Sequence, residues 1–234
     1  MGFDGMNVCI IHGSPRRGNT WQALAIVRAE LRRLGMQKCE EYHVPRDLAA
    51  FCRGCYACFD RGEEYCPNAA QVQPIVKSLL AADALVFTSP AYVIGPSAAM
   101  KNFLDHTAYL FMAHRPDPRM FSKPALLLAT AAGHGAKQAN AGMAACLKHW
   151  GIPKVLRANI RILAEDWDHM PQRKKDNLTV QLHSLARRLE RATRRSPRPP
   201  LFTRGLFFVM KQLMKQYPNG HFDKEYWRRQ GWLS

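Results

Sequence analysis

The chain has 234 residues, 47% of them hydrophobic, enough for one sizeable core and too few for two full domains. Its first residues, MGFDGMNVCIIHG, lack the basic region and apolar run of a secretory signal. No stretch approaches the roughly 18 consecutive apolar residues of a membrane span, so a cytoplasmic protein is expected. The formal charge of +16 is uneven: twelve Lys and Arg stand against three Asp and Glu from Arg187 to Ser234. That tail reads first as a solvated helix face, the alternatives being nucleic acid, weak contact with an anionic membrane surface, or acidic ligands.

Short apolar runs alternate with helical patterns along the chain. Asn7–His12 is rich in β-branched residues and stops at Gly13-Ser14-Pro15, which predicts a strand. Thr20–Leu34 carries Trp21, Leu24, Ala25, Val27 and Leu31 at helical spacing, closed by Gly35. Lys38–Val44 reads as a strand, Pro74–Ala82 as a helix, Ala84–Thr88 as a strand and Ser97–Phe111 as a helix. Ala125–Thr130 follows as a strand, Ala136–Trp150 as a helix, Val155–Leu163 as a strand and Gln172–Thr193 as a long basic helix. Five β-α repeats of this length predict an α/β fold: a five-stranded parallel sheet with helices on both faces, a three-layer sandwich. The flavodoxin-like order 2-1-3-4-5 is expected for such a sheet. Pro197, Pro199 and Pro200 break the pattern. Residues 1–195 are therefore expected to form one cofactor-binding domain, and 196–234 a basic, aromatic extension with an apolar run at Leu206–Met210.

Two loops carry the candidate chemistry. Gly13 to Thr20 joins the first strand to the first helix, where helix N–H groups and the positive dipole end suit a phosphate. Ser14, Asn19 and Thr20 can donate side-chain hydrogen bonds, Arg16 or Arg17 a charge-assisted one, and Gly18 lets the backbone bend near the ligand. The alternative is an ordinary polar turn with Asn19 or Thr20 as N-cap. The loop is neither a Walker A motif nor G-x-G-x-x-G. The second loop, Ser89 to Pro96, would face the first across the crevice between strands one and three. There Pro90, Ala91, Tyr92, Val93 and Ile94 offer an apolar edge and backbone amides suited to a flat heteroaromatic ring.

GSPRRGNT, SPAYVIGPSAAMKNFLDH and KPALLLATAAGHG together resemble the NADPH-dependent FMN reductase group of the flavodoxin-like superfamily. The resemblance extends to the ending, FDKEYWRRQGWL. It implies FMN as cofactor, with Ser14, Arg16, Arg17, Gly18, Asn19 and Thr20 at its phosphate and Pro90 to Ile94 along the isoalloxazine. It implies that the turn holding Ala132 and Gly133 closes the other side. It also implies NAD(P)H as electron donor, and a dimer or tetramer.

Cys52, Cys55, Cys58 and Cys66 follow the spacing C-x2-C-x2-C-x7-C, with Pro67 after the fourth. Three closely pitched thiolates and a later Cys-Pro suit a [4Fe–4S] cluster. Zinc, a redox dithiol and plain thiols are the competing readings. The motif resembles that of the iron–sulfur flavoproteins, although Pro67-Asn68-Ala69 stands where relatives often carry acidic residues. Cys9, Cys39 and Cys146 sit in apolar patterns and are expected in the core. His134, in a loop beside the expected flavin, is the one histidine to test in catalysis; His12, His43, His106 and His149 are expected to be structural, and no catalytic acid or base is required.

The expected activity is transfer of electrons from a reduced nicotinamide through FMN, and a cluster if present, to a small-molecule or redox-protein acceptor. The alternatives are a non-enzymatic electron carrier, or a basic binder of nucleic acid or membrane surface. No nucleic-acid motif supports the last.

Overall fold

The structure, a computed structural model, describes residues 5–233. The strands are β1 (Met6–His12), β2 (Met36–His43), β3 (Ala84–Tyr92), the two-residue β4 (Gly95–Pro96), β5 (Pro124–Ala131) and β6 (Lys154–Arg161). Between and after them run helices α1 (Asn19–Arg33), α2 (Val44–Asp47), α3 (Ala57–Asp60), α4 (Ala69–Ala81), α5 (Ala98–His106), α6 (Ala136–His149), α7 (Gln172–Arg195), α8 (Leu201–Gln216) and α9 (Phe222–Arg229).

Successive strand residues point to opposite faces, and this alternation builds two cores. Cys9, Ile11, Leu85, Phe87 and Leu127 pack with Ile75, Leu79, Phe103 and Met143 from α4, α5 and α6, and with Trp150 just past the end of α6. Val8, Ile10, Val86, Leu126 and Leu128 pack with Leu24 and Val27 of α1 and with Leu182, Leu185 and Leu189 of α7. The sheet runs β2-β1-β3-β5-β6, every neighbouring pair parallel, with β4 antiparallel to the end of β3. Counting the parallel strands alone, this is the expected order 2-1-3-4-5, and its switch point lies between β1 and β3.

Several boundaries differ from the sequence reading. β3 continues through Pro90 to Tyr92. Its pairing with β1 ends at Thr88, whereas pairing with β5 continues to Pro90, so the missing proline N–H costs no bond on the open side. α4 begins at Ala69 and takes Pro74 into its body rather than starting there. α5 stops at His106, with Thr107 as its C-cap donating its hydroxyl to the carbonyls of Phe103 and Leu104 at 3.0 and 3.1 Å; a separate turn follows at Ala108–Leu110. Trp21 leaves the α1 core face for a stack of rings described below.

The tail is more ordered than its prolines suggest. Trp227 of α9 is fully buried, and its Nε1 donates to the His114 carbonyl at 2.6 Å. Phe207 of α8 stacks on it at 5.0 Å between ring centroids, and Trp232 meets both edge-on. The Arg115 guanidinium, 3% exposed, bonds Asp223 on α9 and also the Cys58 carbonyl, so one side chain ties the tail to the cysteine segment.

Candidate functional site

The first loop is held by its own backbone and by its neighbours. Gly13 N–H donates to the Thr88 carbonyl at 2.7 Å, and the Ser97 hydroxyl donates to Gly13 O at 2.6 Å while capping α5. A Cβ on Gly13 would lie 2.9–3.0 Å from Ser97 Oγ, Met100 Cβ and Thr88 O, so only glycine fits this close approach. Ser14 Oγ accepts from Arg16 N–H at 3.2 Å, which turns the chain toward α1. Gly18 is the N-cap of α1, which has no side-chain cap and no acidic residue in its first turn. Its N-terminal amides and positive dipole end are left open to a ligand.

Across the crevice, Val93 and Ile94 form the two-residue turn between β3 and β4, with φ of 49° and 65°. Positive φ at two β-branched residues is strained and persists only where the surroundings impose it. Gly135 supplies part of that restraint: at φ +104° it comes so close that a Cβ would lie 3.1 Å from Ile94 Cα. The β5–α6 turn thus abuts the hairpin. Arg16 Nη2 donates to the Tyr92 hydroxyl at 3.0 Å and joins the two loops.

Between these loops lies a crevice of about 440 Å³ at the carboxyl edge of the sheet. Ser14, Arg16, Gly18, Asn19 and Thr20 line one side, Pro90, Ala91 and Tyr92 another, and Ala132 with Thr130 and Ala131 the floor. Thr20 and Thr130 share a hydroxyl hydrogen bond of 2.5 Å. Four of the expected residues lie outside it. Arg17 places its guanidinium over the Trp21 ring at 5.1 Å, Val93 is fully exposed at the hairpin tip, and neither Ile94 nor Gly133 lines the crevice. His134 is exposed and is likewise not a lining residue. The sequence reading missed Glu165 and Asp166, which close the β6 side. Their position just past the last parallel strand, at the sheet edge where ligands bind, was the available signal.

The four motif cysteines line a second cavity of about 320 Å³, which shares no lining residue with the first. Asn102 of α5 positions its rim: Oδ1 accepts from Cys52 N–H at 2.9 Å, and Nδ2 donates to Ala50 O at 3.0 Å. His106 Nδ1 donates to the Asn102 carbonyl at 2.9 Å, which leaves Nε2 to accept from Asn68 Nδ2 at 3.0 Å. Asn68 thus ties the end of the motif to α5. Burial, and then the neighbouring Cys66, push the Cys58 thiol up to about 11. None of the seven cysteines forms a disulfide. Among the described residues the one set of three ligating side chains with ligand atoms all within 4.8 Å is His12, Glu41 and His43.

His12 and His43 end neighbouring strands in register, and their rings stack at 4.1 Å and 6°. Trp21 packs beside both, with Arg28 over its ring at 4.7 Å. Glu41 accepts from His12 Nε2 at 2.9 Å and Arg28 Nη1 at 3.0 Å; the His12 bond is the main cause holding its carboxyl below the usual range. Burial, then the His12 charge, lower the His43 imidazole.

The sheet order, the switch-point crevice and the uncapped helix end place the chain in the flavodoxin-like class. The family model for NADPH-dependent FMN reductase matches residues 6–162, and the chain belongs to that family. Two iron–sulfur flavoproteins of Archaeoglobus fulgidus are similar to it. One is 32% identical over 147 residues, covering 62% of this chain and 64% of that protein; the other is 28% identical over 102 residues, covering 44% and 49%. The match therefore spans about half to two thirds of these relatives' length. Among solved structures, an NADH:FMN oxidoreductase in apo form aligns over 85% of this chain and 94% of its own, at 21% identity and a TM-score of 0.58. An FMN-dependent NADH-azoreductase from Bacillus anthracis in complex with FMN aligns over 79% and 99%, at 13% identity and a TM-score of 0.61. At such identities the structures share the fold.

Proposed function

We propose that this protein is an FMN-dependent NAD(P)H oxidoreductase that delivers electrons to a small-molecule or redox-protein acceptor, aided by an iron–sulfur cluster at Cys52, Cys55, Cys58 and Cys66. The observation that carries the reading is the convergence, on one crevice, of the uncapped α1 N-terminus and Arg16 with the apolar rim of Pro90, Ala91 and Tyr92. FMN, when bound, supplies a ring that accepts electrons in pairs and releases them singly or in pairs.

The chain supplies binding and orientation. Ser14, Arg16, Gly18, Asn19 and Thr20 hold the phosphate against the helix end, and Arg17 adds positive charge nearby. Pro90, Ala91 and Tyr92 would face the ring and Ala132 would bound its other side, while Val93, Ile94 and Gly133 sit at the margin, outside the crevice lining. Glu165 and Asp166 offer acceptors to hydroxyl groups of the ligand. The reading requires no side chain to act as acid or base.

The four cysteines fit a polynuclear cluster better than a single ion. All four line one cavity, and three closely pitched cysteines followed by a later Cys-Pro are the spacing that wraps a cubane cluster, whereas structural zinc sites usually use two separated C-x2-C pairs. Asn102, Asn68 and Arg115 hold the backbone that carries them.

An absorbance spectrum of anaerobically purified protein tests both parts. Flavin bands are expected together with a broad shoulder near ~400 nm that bleaches on reduction. Cys55→Ala is expected to lose iron and the shoulder while keeping FMN and its bleaching by NAD(P)H. Protein with full FMN but neither iron nor sulfide rejects the cluster. Protein that binds no FMN rejects the flavin reading.

A further inference from the structure

Helix α8 turns an apolar face outward. It meets the rest of the molecule through Thr203, Phe207, Met210 and Met214, spaced three or four residues apart on one side. The opposite side carries Leu201, Phe202, Phe208, Val209 and Leu213, exposed by 82, 60, 61, 56 and 37%. Five large apolar side chains share one exposed helix face, with only Gly205 and Gln212 between them, which is denser than the scattered exposure ordinary on soluble surfaces.

Cations border the patch. Arg204, Lys211 and Lys215 recur at i, i+7 and i+11 along one flank of α8, and α8 contains no acidic residue. Arg204 and Lys211 also line a largely apolar cavity of about 490 Å³ beneath that flank, shared with Phe121, Phe207 and Trp232. Just before α8, a second cavity of about 370 Å³ is lined by Lys154, Arg188, Arg191 and Arg195, again without a carboxylate. Pro197 lies on its edge, and the three residues between Pro197 and Leu201 span at most about 14 Å. A basic pocket and a basic-flanked apolar helix are thus adjacent, and from Arg191 to Phe222 the sequence has no Asp or Glu.

We propose that α8 is an interfacial helix that docks the protein on an anionic lipid surface. Leu201, Phe202, Phe208, Val209 and Leu213 enter the headgroup–acyl boundary. Arg204, Lys211 and Lys215 extend to lipid phosphates, and Arg188, Arg191 and Arg195 add long-range attraction. An amphipathic helix with a cationic polar flank and Phe and Leu opposite is built for that plane. Charge argues against a second copy of the chain as the occupant: it would bring the same cations to the contact and no carboxylate from α8 to meet them. The flavin crevice takes no part, so this inference stands apart from the proposed activity.

Flotation of the full chain with vesicles of phosphatidylcholine containing 30% phosphatidylglycerol tests it, with pure phosphatidylcholine vesicles alongside. The protein is expected to float with the anionic vesicles, to stay behind with the neutral ones, and to dissociate as salt rises. Phe208→Ser combined with Val209→Ser, and separately Lys211→Glu combined with Lys215→Glu, are each expected to weaken partition at least tenfold. All four residues are on the surface or at its edge, and an unchanged thermal melt confirms folding; should the serine variant aggregate, the charge variant decides. Absence of flotation overturns the proposal, as does flotation that neither variant affects. A dimer in solution that the serine variant splits, without vesicle binding, assigns the face to a second copy. Capture by duplex DNA but not by vesicles assigns it to nucleic acid.

Discussion

Arg16 Nη2 and the Tyr92 hydroxyl meet at 3.0 Å across the mouth of the crevice, one from the phosphate loop and the other from the end of β3. Both side chains reach solvent, so this neutral-acceptor bond is cheap to exchange for a charged one. A phosphate at the α1 N-terminus would offer Arg16 a stronger partner and free Tyr92 to lie along a ring.

Replacing Arg16 with Ala is therefore expected to weaken FMN binding by about 1.5–3 kcal/mol, roughly 10- to 150-fold, through loss of a charge-assisted bond. Thermal stability is expected to change little, because the residue is exposed. Tyr92→Phe keeps the ring and loses only the hydroxyl, so its effect is expected to be several-fold smaller. Flavin fluorescence titration of the apoprotein measures both. An Arg16→Ala protein with unchanged affinity would remove Arg16 from the phosphate site.

The buried pair Arg115–Asp223 makes a different demand. Each side chain is 3% exposed, and His114 Nδ1 adds a bond to the second Asp223 oxygen at 2.9 Å. Asp223→Ala leaves the buried guanidinium with only the longer, more exposed contact to Glu63 at 3.3 Å and the Cys58 carbonyl, which is expected to cost about 3 kcal/mol. Adding Arg115→Met to that variant is expected to restore part of the loss, because the poorly compensated buried charge is then gone. Urea denaturation of the two proteins supplies the comparison. A cost below about 1 kcal/mol for Asp223→Ala contradicts the account of how α9 is anchored.

The stacked histidines add an acid-side instability. His43 faces His12 from β1, and Arg46, Asp47 and Glu41 lie around it; burial and then the His12 charge hold its folded pKa below the ordinary 6.5. Between the folded value and 6.5 the unfolded chain binds more protons, so stability is present above pH 6.5 and lost as pH falls through that window. Glu41, held below 4.5 mainly by its His12 bond, acts in the same direction at lower pH. His43→Gln is expected to flatten the loss just below pH 6.5, and the His43 ring protons to titrate below 6.5 by NMR. A midpoint above 6.5 contradicts the assignment.

Much of the fold was legible in the residues themselves. Runs such as Val8-Cys9-Ile10-Ile11 and Leu126-Leu127-Leu128 are apolar at every position, because a strand covered by helices on both faces buries both of its sides. The Gly13–Thr20 loop was legible for a similar reason. Its chemistry, a glycine-bent polar turn ahead of a helix, is contiguous in sequence, and so is the cysteine motif with its short spacings.

The remainder depended on residues that only folding brings together. Arg16 and Tyr92 are 76 positions apart, and Arg115 and Asp223 are 108 apart. Glu165 and Asp166 reach the crevice because β6 ends at its edge, and His12 meets His43 because parallel strands put their last residues in register. Arg17 looked equivalent to Arg16 in sequence, yet it turns to Trp21, because successive residues in a bent loop point in different directions. Hydrophobic periodicity reports which face of an element is buried, since burial scales with local apolar area. It carries no information about which distant side chain arrives opposite; strand order and register set that, and with them the crevice, the anchoring of α9 and the exposed face of α8.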